Sequence, residues 1–222
     1  MFESLLAWVA THNAPGAGQA VGDEQLVQQL LDAGHQVTAL VRAPAKLILT
    51  HPNLIVIVGR LSDTATVRQA VTGADAVISA LGPTLKRSAT GTPLTDGTRT
   101  IVHAMRTEQV ARFIGLATPS LADPRDQPHW KHKVLPVMAR LMFPNALAEL
   151  TGMTAAVTGS GLDYTIARIT NPTDKPATGR IRAGFLGHDK VGSAMSRADI
   201  AAFLASQLTD PRYRRAMPAI SN

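Results

Sequence analysis

Short continuous apolar runs alternate along this chain with stretches of helical period. The apolar runs fall at residues 5–10, 37–41, 54–58, 76–81, 110–117 and 162–169, with a shorter stretch at 180–185. Runs that are apolar without alternation fit parallel strands covered on both faces. Residues 54–58, LIVIV, are the plainest case. Leu26, Val27, Leu30 and Leu31 recur at i, i+1, i+4 and i+5, which gives the helix expected over 23–33 one buried face. Further helices are expected over 64–71, 96–108, 129–142, 147–157 and 197–208. Asp63 and Ser196 stand where N-caps belong, and Gly34 and Gly73 where helices stop.

Strands alternating with helices predict one α/β domain over residues 1–222: a doubly wound, mainly parallel sheet of about six or seven strands, with helices on both faces. Ligands of such sheets sit beyond the carboxyl ends of the strands, near the point where the strand order reverses. The loops of interest are therefore 11–22, 42–46, 59–63, 79–86, 118–128 and 169–178, with a substrate region at about 118–160 and 169–195. The first loop holds Gly16, Gly18, Gln19 and Gly22 (GAGQAVG) between a strand and a helix. Glycines let the backbone approach a pyrophosphate, and the free N–H groups of the helix start favour its charge. The last spacing is one residue longer than in G-x-G-x-x-G, and the loop exceeds the roughly 2–6 residues usual for this connection. A flexible loop rich in Gly and Ala is the plainer reading of the same letters.

Composition narrows the function. At 222 residues and 45% hydrophobic, the chain has material for one sizeable core. No apolar run is long enough to span a bilayer and the first residues lack a basic signal-like stretch, so a cytoplasmic protein with no membrane partner is expected. The absence of cysteine excludes disulfides, thiol catalysis and cysteine metal sites. The net charge is +6, yet the basic residues are scattered apart from Arg212, Arg214 and Arg215, and aromatics make up only 4%. A nucleic-acid binder carries a basic stripe with interleaved aromatics, so no nucleic-acid partner is expected. A basic surface around an anionic small molecule fits better. A monomer and a homodimer are both compatible with the sequence.

Several stretches, in order, resemble one family: HQVTALVRAPAKL, HPNLIVIVG, GADAVISALGP, TRTIVHAM, SGLDYTIAR, PATGR and SRADIAAFL. They are similar to the atypical short-chain dehydrogenase/reductases, in the NmrA-like and biliverdin reductase B (flavin reductase) branch, over roughly residues 21–220. The resemblance implies a Rossmann-type fold and NADP(H), with NAD(H) the lesser alternative. It implies that Arg42 meets the 2′-phosphate of the adenosine ribose, with Lys46 as a second cation. A guanidinium and an ammonium suit a phosphate, where a carboxylate would favour the free hydroxyl. Two solvated surface cations are the competing reading. The resemblance further places Ser79, Leu81 and Gly82 on the turn beside the cofactor, and Thr118 near the nicotinamide. The sequence departs from the family in four places. The glycine loop is respaced. Gly59-Arg60 replaces Gly-Asp on the adenine side, Arg168-Ile169 replaces Arg-Pro beside the nicotinamide, and Glu149-Leu150 stands where Asp-His is frequent.

The Tyr-x-x-x-Lys pair of typical short-chain dehydrogenases, whose lysine lowers the tyrosine pKa, is missing. Tyr164 and Arg168 share its spacing but lie in an expected strand, so Tyr164 reads as a core residue. The related reductases lack the pair too, and there the cofactor carries the hydride while the protein positions it. Thr118 is the candidate to orient substrate or nicotinamide; a strand-end threonine bonded to backbone is the alternative. His132, near His129 and Trp130, is a candidate proton donor, because histidine is the side chain whose ordinary titration range lies near neutral pH. No metal site is expected, because His-x-x-His finds no third ligand. Met138, Met142 and Phe143 read as a packing face of a helix, with substrate lining the second choice. The first functional reading is an NADP(H)-dependent oxidoreductase passing hydride to a flat conjugated acceptor of the flavin, quinone or tetrapyrrole class. A dinucleotide sensor without turnover and a cofactor-free isomerase or cyclase are the alternatives.

Overall fold

The computed structural model describes residues 4–8, 23–43, 47, 49–85, 89–127, 130–169 and 171–222, with backbone alone for 4–8, 23, 130–133 and 135. The first half of the chain runs β1 (Ser4–Trp8), α1 (Asp23–Asp32), β2 (Gln36–Val41), β3 (Leu54–Val58), α2 (Thr64–Val71), β4 (Ala76–Ser79), α3 (Pro93–Thr107) and β5 (Arg112–Ala117). The second half runs α4 (Trp130–Met142), α5 (Pro144–Thr158), β6 (Asp163–Arg168), β7 (Pro172–Thr173), β8 (Arg182–Gly184), β9 (Met195–Ser196), α6 (Arg197–Ser206) and β10 (Ala219–Ser221).

The main sheet has the order β3-β2-β1-β4-β5-β6-β10-β8, and β7 pairs with β9 apart from it. Strands β1 to β6 and β10 are parallel; β8 joins β10 antiparallel at the far edge. The order reverses between β1 and β4, whose last residues Trp8 and Ser79 are register partners. This is the doubly wound α/β architecture the alternation predicts. The sheet holds eight strands: β8 falls within the short stretch expected at 180–185, while β10, only three residues long, is too short to leave a periodic signal.

Both faces of the central strands are covered, and successive residues go to opposite sides. In β4, Ala76 and Ile78 join the core formed with α1 and α6, among Leu26, Leu30, Ile200 and Leu204, while Val77 joins the core formed with α2, α3 and α5. In β5, Ile114 and Leu116 face the first core and Phe113 and Ala117 the second. That two-sided demand is why these strands read as unbroken apolar runs. The expectation fails for β3. It ends the sheet, and Ile55 is 62% exposed, with Val56 and Val58 also exposed. An apolar run records suitability for burial and says nothing of whether the strand lies at the centre or the edge.

Local rules set most helix ends. Asp63 Oδ1 accepts from the N–H groups of Ala65 and Thr66 at 3.1 and 3.2 Å, capping α2. Gly34 and Gly73, with φ of +85° and +76°, follow α1 and α2 in the left-handed region. Helices α3 and α5 start earlier than their patterns suggest, at Pro93 and Pro144, since proline is well suited to a first helical position. Thr92 does not cap α3 with its side chain. Glu149 of α5 does so instead: Oε1 accepts from Leu94 N–H at 2.9 Å, and Oε2 from Thr95 N–H and Thr95 Oγ1, both at 2.8 Å. A buried carboxylate thus sits on the positive end of α3. Gly152 makes the approach of α5 possible, because a Cβ there would collide with the Thr95 side chain. The Glu149 position, a departure from the family pattern, is therefore occupied by a helix cap.

Asp199 plays a similar part at α6. Ser196 Oγ accepts from Asp199 N–H at 3.1 Å, and the Asp199 carboxylate accepts from the N–H groups of Thr178 and Gly179 at 2.8 and 3.0 Å and from the Ser196 hydroxyl and the Asn222 amide. Burial opposes its ionisation, but the hydrogen bonds from Thr178, Ser196, Asn222 and Gly179 prevail and lower its pKa from 3.8 to about 2.

Two outcomes follow for stability. Glu149→Ala leaves two buried N–H groups without acceptors and is expected to lower the unfolding free energy by about 3 kcal/mol in urea titrations, with Glu149→Gln losing less. Asp199→Asn is expected to cost about 2 kcal/mol at neutral pH. The carboxylate stabilises the fold above its unfolded value of 3.8, and this contribution fades as pH falls through about 2. Wild type and variant should therefore converge in acid; a gap that stays constant down to the lowest pH measured would contradict the assignment.

Candidate functional site

The carboxyl ends of the parallel strands form one rim. Gly59 N–H donates to Val41 O at 2.9 Å, which holds the ends of β2 and β3 together. Arg42 and Arg60 follow these strands and are exposed on the same part of the rim. Gly59 itself is required by packing, since a Cβ would run into Thr66 of α2. Gly16, Gly18, Gln19, Gly22 and Lys46 lie outside the described residues.

At the end of β4 the side chains turn away from the rim. Ser79 is buried beside Thr98, Gly115 and Met153, between the sheet and helices α3 and α5. Leu81 is buried in the same core. What residues 79–82 offer a ligand is therefore backbone. Gly82 is the open point of this turn: a Cβ built there would meet nothing within 4 Å. A bare peptide facing open space next to the strand-order reversal fits the passage of a dinucleotide.

Thr118 follows β5, half-buried, and its hydroxyl lies 2.5 Å from that of Ser120. Its partner is thus a second hydroxyl rather than backbone, and Ser120 is a residue that the sequence reading did not single out. The loop after Thr118 is held by carboxylates. Asp123 Oδ2 accepts from Met217 N–H and Oδ1 from Arg125 N–H, each at 2.8 Å. Asp126 accepts from the N–H groups of Asp123 and Leu186 at 2.9 and 2.8 Å, and takes Arg168 in a two-pronged pair at 2.5 and 2.7 Å. Burial pushes the Asp126 pKa up, but the Arg168 guanidinium and the backbone bonds outweigh it, and the carboxyl stays below its usual range.

Arg168 is fully buried at the end of β6 and also donates to Leu121 O at 3.0 Å. Its Nε has no hydrogen-bond partner among the described residues. The residue that the family resemblance sets beside the nicotinamide is here engaged with the loop that carries Thr118. Nothing local in the sequence signals a pair whose members are 42 residues apart.

Beyond Gly82 lies an open pocket of about 260 Å³, lined by Thr84, Leu85, the end of α4 (Leu141, Met142) and residues 143–146. None of these lining residues is charged. Met138 and Met142 do not pack inward as expected; both are exposed, and only Phe143 is half-buried. His132 lies in α4, with its side chain outside the described residues. Tyr164 is half-buried against the second core. Among the described residues, no group of three or more His, Asp or Glu is placed to hold a metal, and no helix is long and apolar enough to cross a membrane.

Comparison with known structures places the whole fold. A Rossmann-fold NAD(P)-binding family protein from Shigella flexneri superposes with a TM-score of 0.71 at 21% identity, over 100% of this chain and 94% of that one. A wide-type short-chain dehydrogenase/reductase from Veillonella parvula, solved in complex with NADP, gives 0.74 at 17% identity, over 100% and 95%. The anaerobillin reductase ChuY from Escherichia coli gives 0.72 at 20% identity, over 98% and 96%. At such identities the likeness speaks for the Rossmann fold. The sequence itself carries the family: residues 16–211 match the family model described as NAD(P)H-binding, and the chain belongs to that family.

Proposed function

We propose that this protein is an NADP(H)-dependent reductase whose acceptor is a flat conjugated molecule of the flavin, quinone or tetrapyrrole class. The observation that carries the reading is the order of groups along the rim. A cation stands at the end of β2 (Arg42), a bare turn at the end of β4 (Gly82), and a hydroxyl pair at the end of β5 (Thr118 and Ser120). Strands lie about 4.8 Å apart, so the β2 and β5 ends are separated by roughly 14 Å, a span that suits an extended dinucleotide. In this reading Arg42, with Lys46, holds the 2′-phosphate and Arg60 the adenine side. Gly16, Gly18, Gln19 and Gly22 line the pyrophosphate. The backbone of Ser79, Leu81 and Gly82 passes beside the cofactor.

When bound, NADP(H) supplies the hydride. The chain supplies position. Thr118, fixed by Ser120 and by the loop tied to Arg168, orients the nicotinamide side of the site. The uncharged pocket beyond Gly82 receives the acceptor, with Leu85, Leu141 and Met142 as apolar walls that suit a flat ring. His132 of α4 is a proton donor in this scheme, alongside solvent. A cytoplasmic location follows from the same reading.

A second reading has a specific observation in its favour. Because Arg168 is spent on Asp126 and Leu121, a dinucleotide-binding sensor without turnover also fits. The two separate on one assay: steady NADPH oxidation with any acceptor of the proposed class supports the reductase, and cofactor binding without turnover across the panel supports the sensor.

Calorimetric titration is expected to show binding of NADPH in preference to NADH. Arg42→Ala should weaken NADPH by about ten- to a hundredfold, the worth of a charge-assisted phosphate contact, and leave NADH nearly unchanged. Equal losses for both would overturn the 2′-phosphate assignment. Thr118→Val is expected to lower kcat by about tenfold with little change in cofactor Kd, as removal of an orienting group should. A loss confined to cofactor binding would move Thr118 out of the reacting centre.

A further inference from the structure

Helix α4 has its amphipathic sense reversed. Val134, Val137, Met138, Leu141 and Met142 are all exposed, Leu141 by 75% and Val137 by 57%. At 3.6 residues per turn these five side chains fill one arc of roughly 140°. The opposite arc, with Pro136, Ala139 and Phe143, is half-buried, and the helix packs against α5. Leu85 extends the apolar arc: it is exposed and lines one pocket with Leu141 and Met142. Monomeric proteins seldom leave a contiguous surface of this kind to water.

The sequence of the two segments that form this face carries charge of one sign. Helix α4 contains Lys131, Lys133 and Arg140 and no acidic residue. No Asp or Glu lies between Asp126 and Glu149, nor between Asp75 and Asp96, the segment that carries Leu85 with Lys86 and Arg87 after it. Glu149 itself is buried on the start of α3 and adds no negative charge to the surface. A helix with an exposed apolar arc, on a segment that carries cations and no acid, matches a surface of hydrocarbon below anionic headgroups. A second copy of the chain would set the same cations against each other.

We propose that α4 and Leu85 dock this protein on an anionic lipid surface, lying in the interface without spanning it. Docking needs no dinucleotide. Where it meets the reductase reading, on which this last point rests, the acceptor pocket shares Leu85, Leu141 and Met142 with the docking face and so opens toward the lipid.

The test is co-sedimentation of the full chain with vesicles, using phosphatidylcholine alone and phosphatidylcholine mixed with phosphatidylglycerol, at low and high salt. Binding is expected on the anionic vesicles only, weakened by salt. The double variant Val134→Asp with Val137→Asp, neither of which lines the pocket, should lower binding by about tenfold or more with an unchanged circular dichroism melt. Lys133→Gln with Arg140→Gln should weaken binding and flatten its salt dependence, and Val137→Trp should strengthen it. Failure to bind anionic vesicles, equal binding to neutral ones, or an unaffected aspartate variant would overturn the proposal. So would a solution dimer that the aspartate pair dissolves. None of these readouts involves NADPH, so failure here is distinguishable from failure of the reductase assignment, which the titrations decide.

Discussion

Irregular backbone can be buried only if its N–H groups find acceptors. At the carboxyl end of this sheet the acceptors are carboxylates. Glu149 takes two N–H groups of α3, Asp126 takes those of Asp123 and Leu186, Asp123 those of Arg125 and Met217, and Asp199 those of Thr178 and Gly179. Each side chain joins backbone segments that are distant in the sequence. The loops of the rim are thereby fixed by charge-assisted bonds, each roughly twice as strong as a neutral one. Of the four, Asp126 is paired with a buried arginine, and breaking that pair from one side would strand a charge in the interior.

This arrangement accounts for a chain that is basic overall yet places several of its acids inside. Among its 16 acidic residues, Asp123, Glu149 and Asp199 are buried, while the cations lie mostly on the surface. Arg112 and Arg168 are buried too, so among the described residues the buried charges nearly cancel and the surface keeps the chain's positive balance. Such a balance suits an anionic cofactor at the rim. Structural carboxylates and surface cations are thus two sides of one distribution.

The fold was legible where the signals are local. The strands β1 to β6 are apolar runs, Asp63 and Ser196 cap by their own side chains, and Gly34 and Gly73 are needed for their backbone angles. The starts of α3 and α5 were misjudged; for α3 the capping carboxylate comes from 55 residues away. The edge position of β3 was illegible because apolar content does not encode neighbours. Strands β7, β9 and β10 were missed since two or three residues carry no period. At the candidate site, Arg42 and Gly82, singled out through the family resemblance, lie on the rim at the ends of β2 and β4. Ser120 and the Asp126–Arg168 pair were not singled out, because a hydroxyl or carboxylate in a loop has no sequence signature until its partner is known. The helical period of α4 was read correctly, but the direction of its apolar face depends on what it packs against.

The pairing of α1 with α6 has a consequence for how the chain is made. Leu26 and Leu30 share their core with Ile200 and Leu204, and Gln29 Nε2 donates to Ala198 O, 169 residues onward. Helix α1 has no finished partner until α6, made 169 residues later, has left the ribosome. At roughly 5–20 residues per second that is a wait of about ten to thirty seconds with an apolar face uncovered. During synthesis this face is a place for a chaperone to hold, and α6 is the piece that releases it.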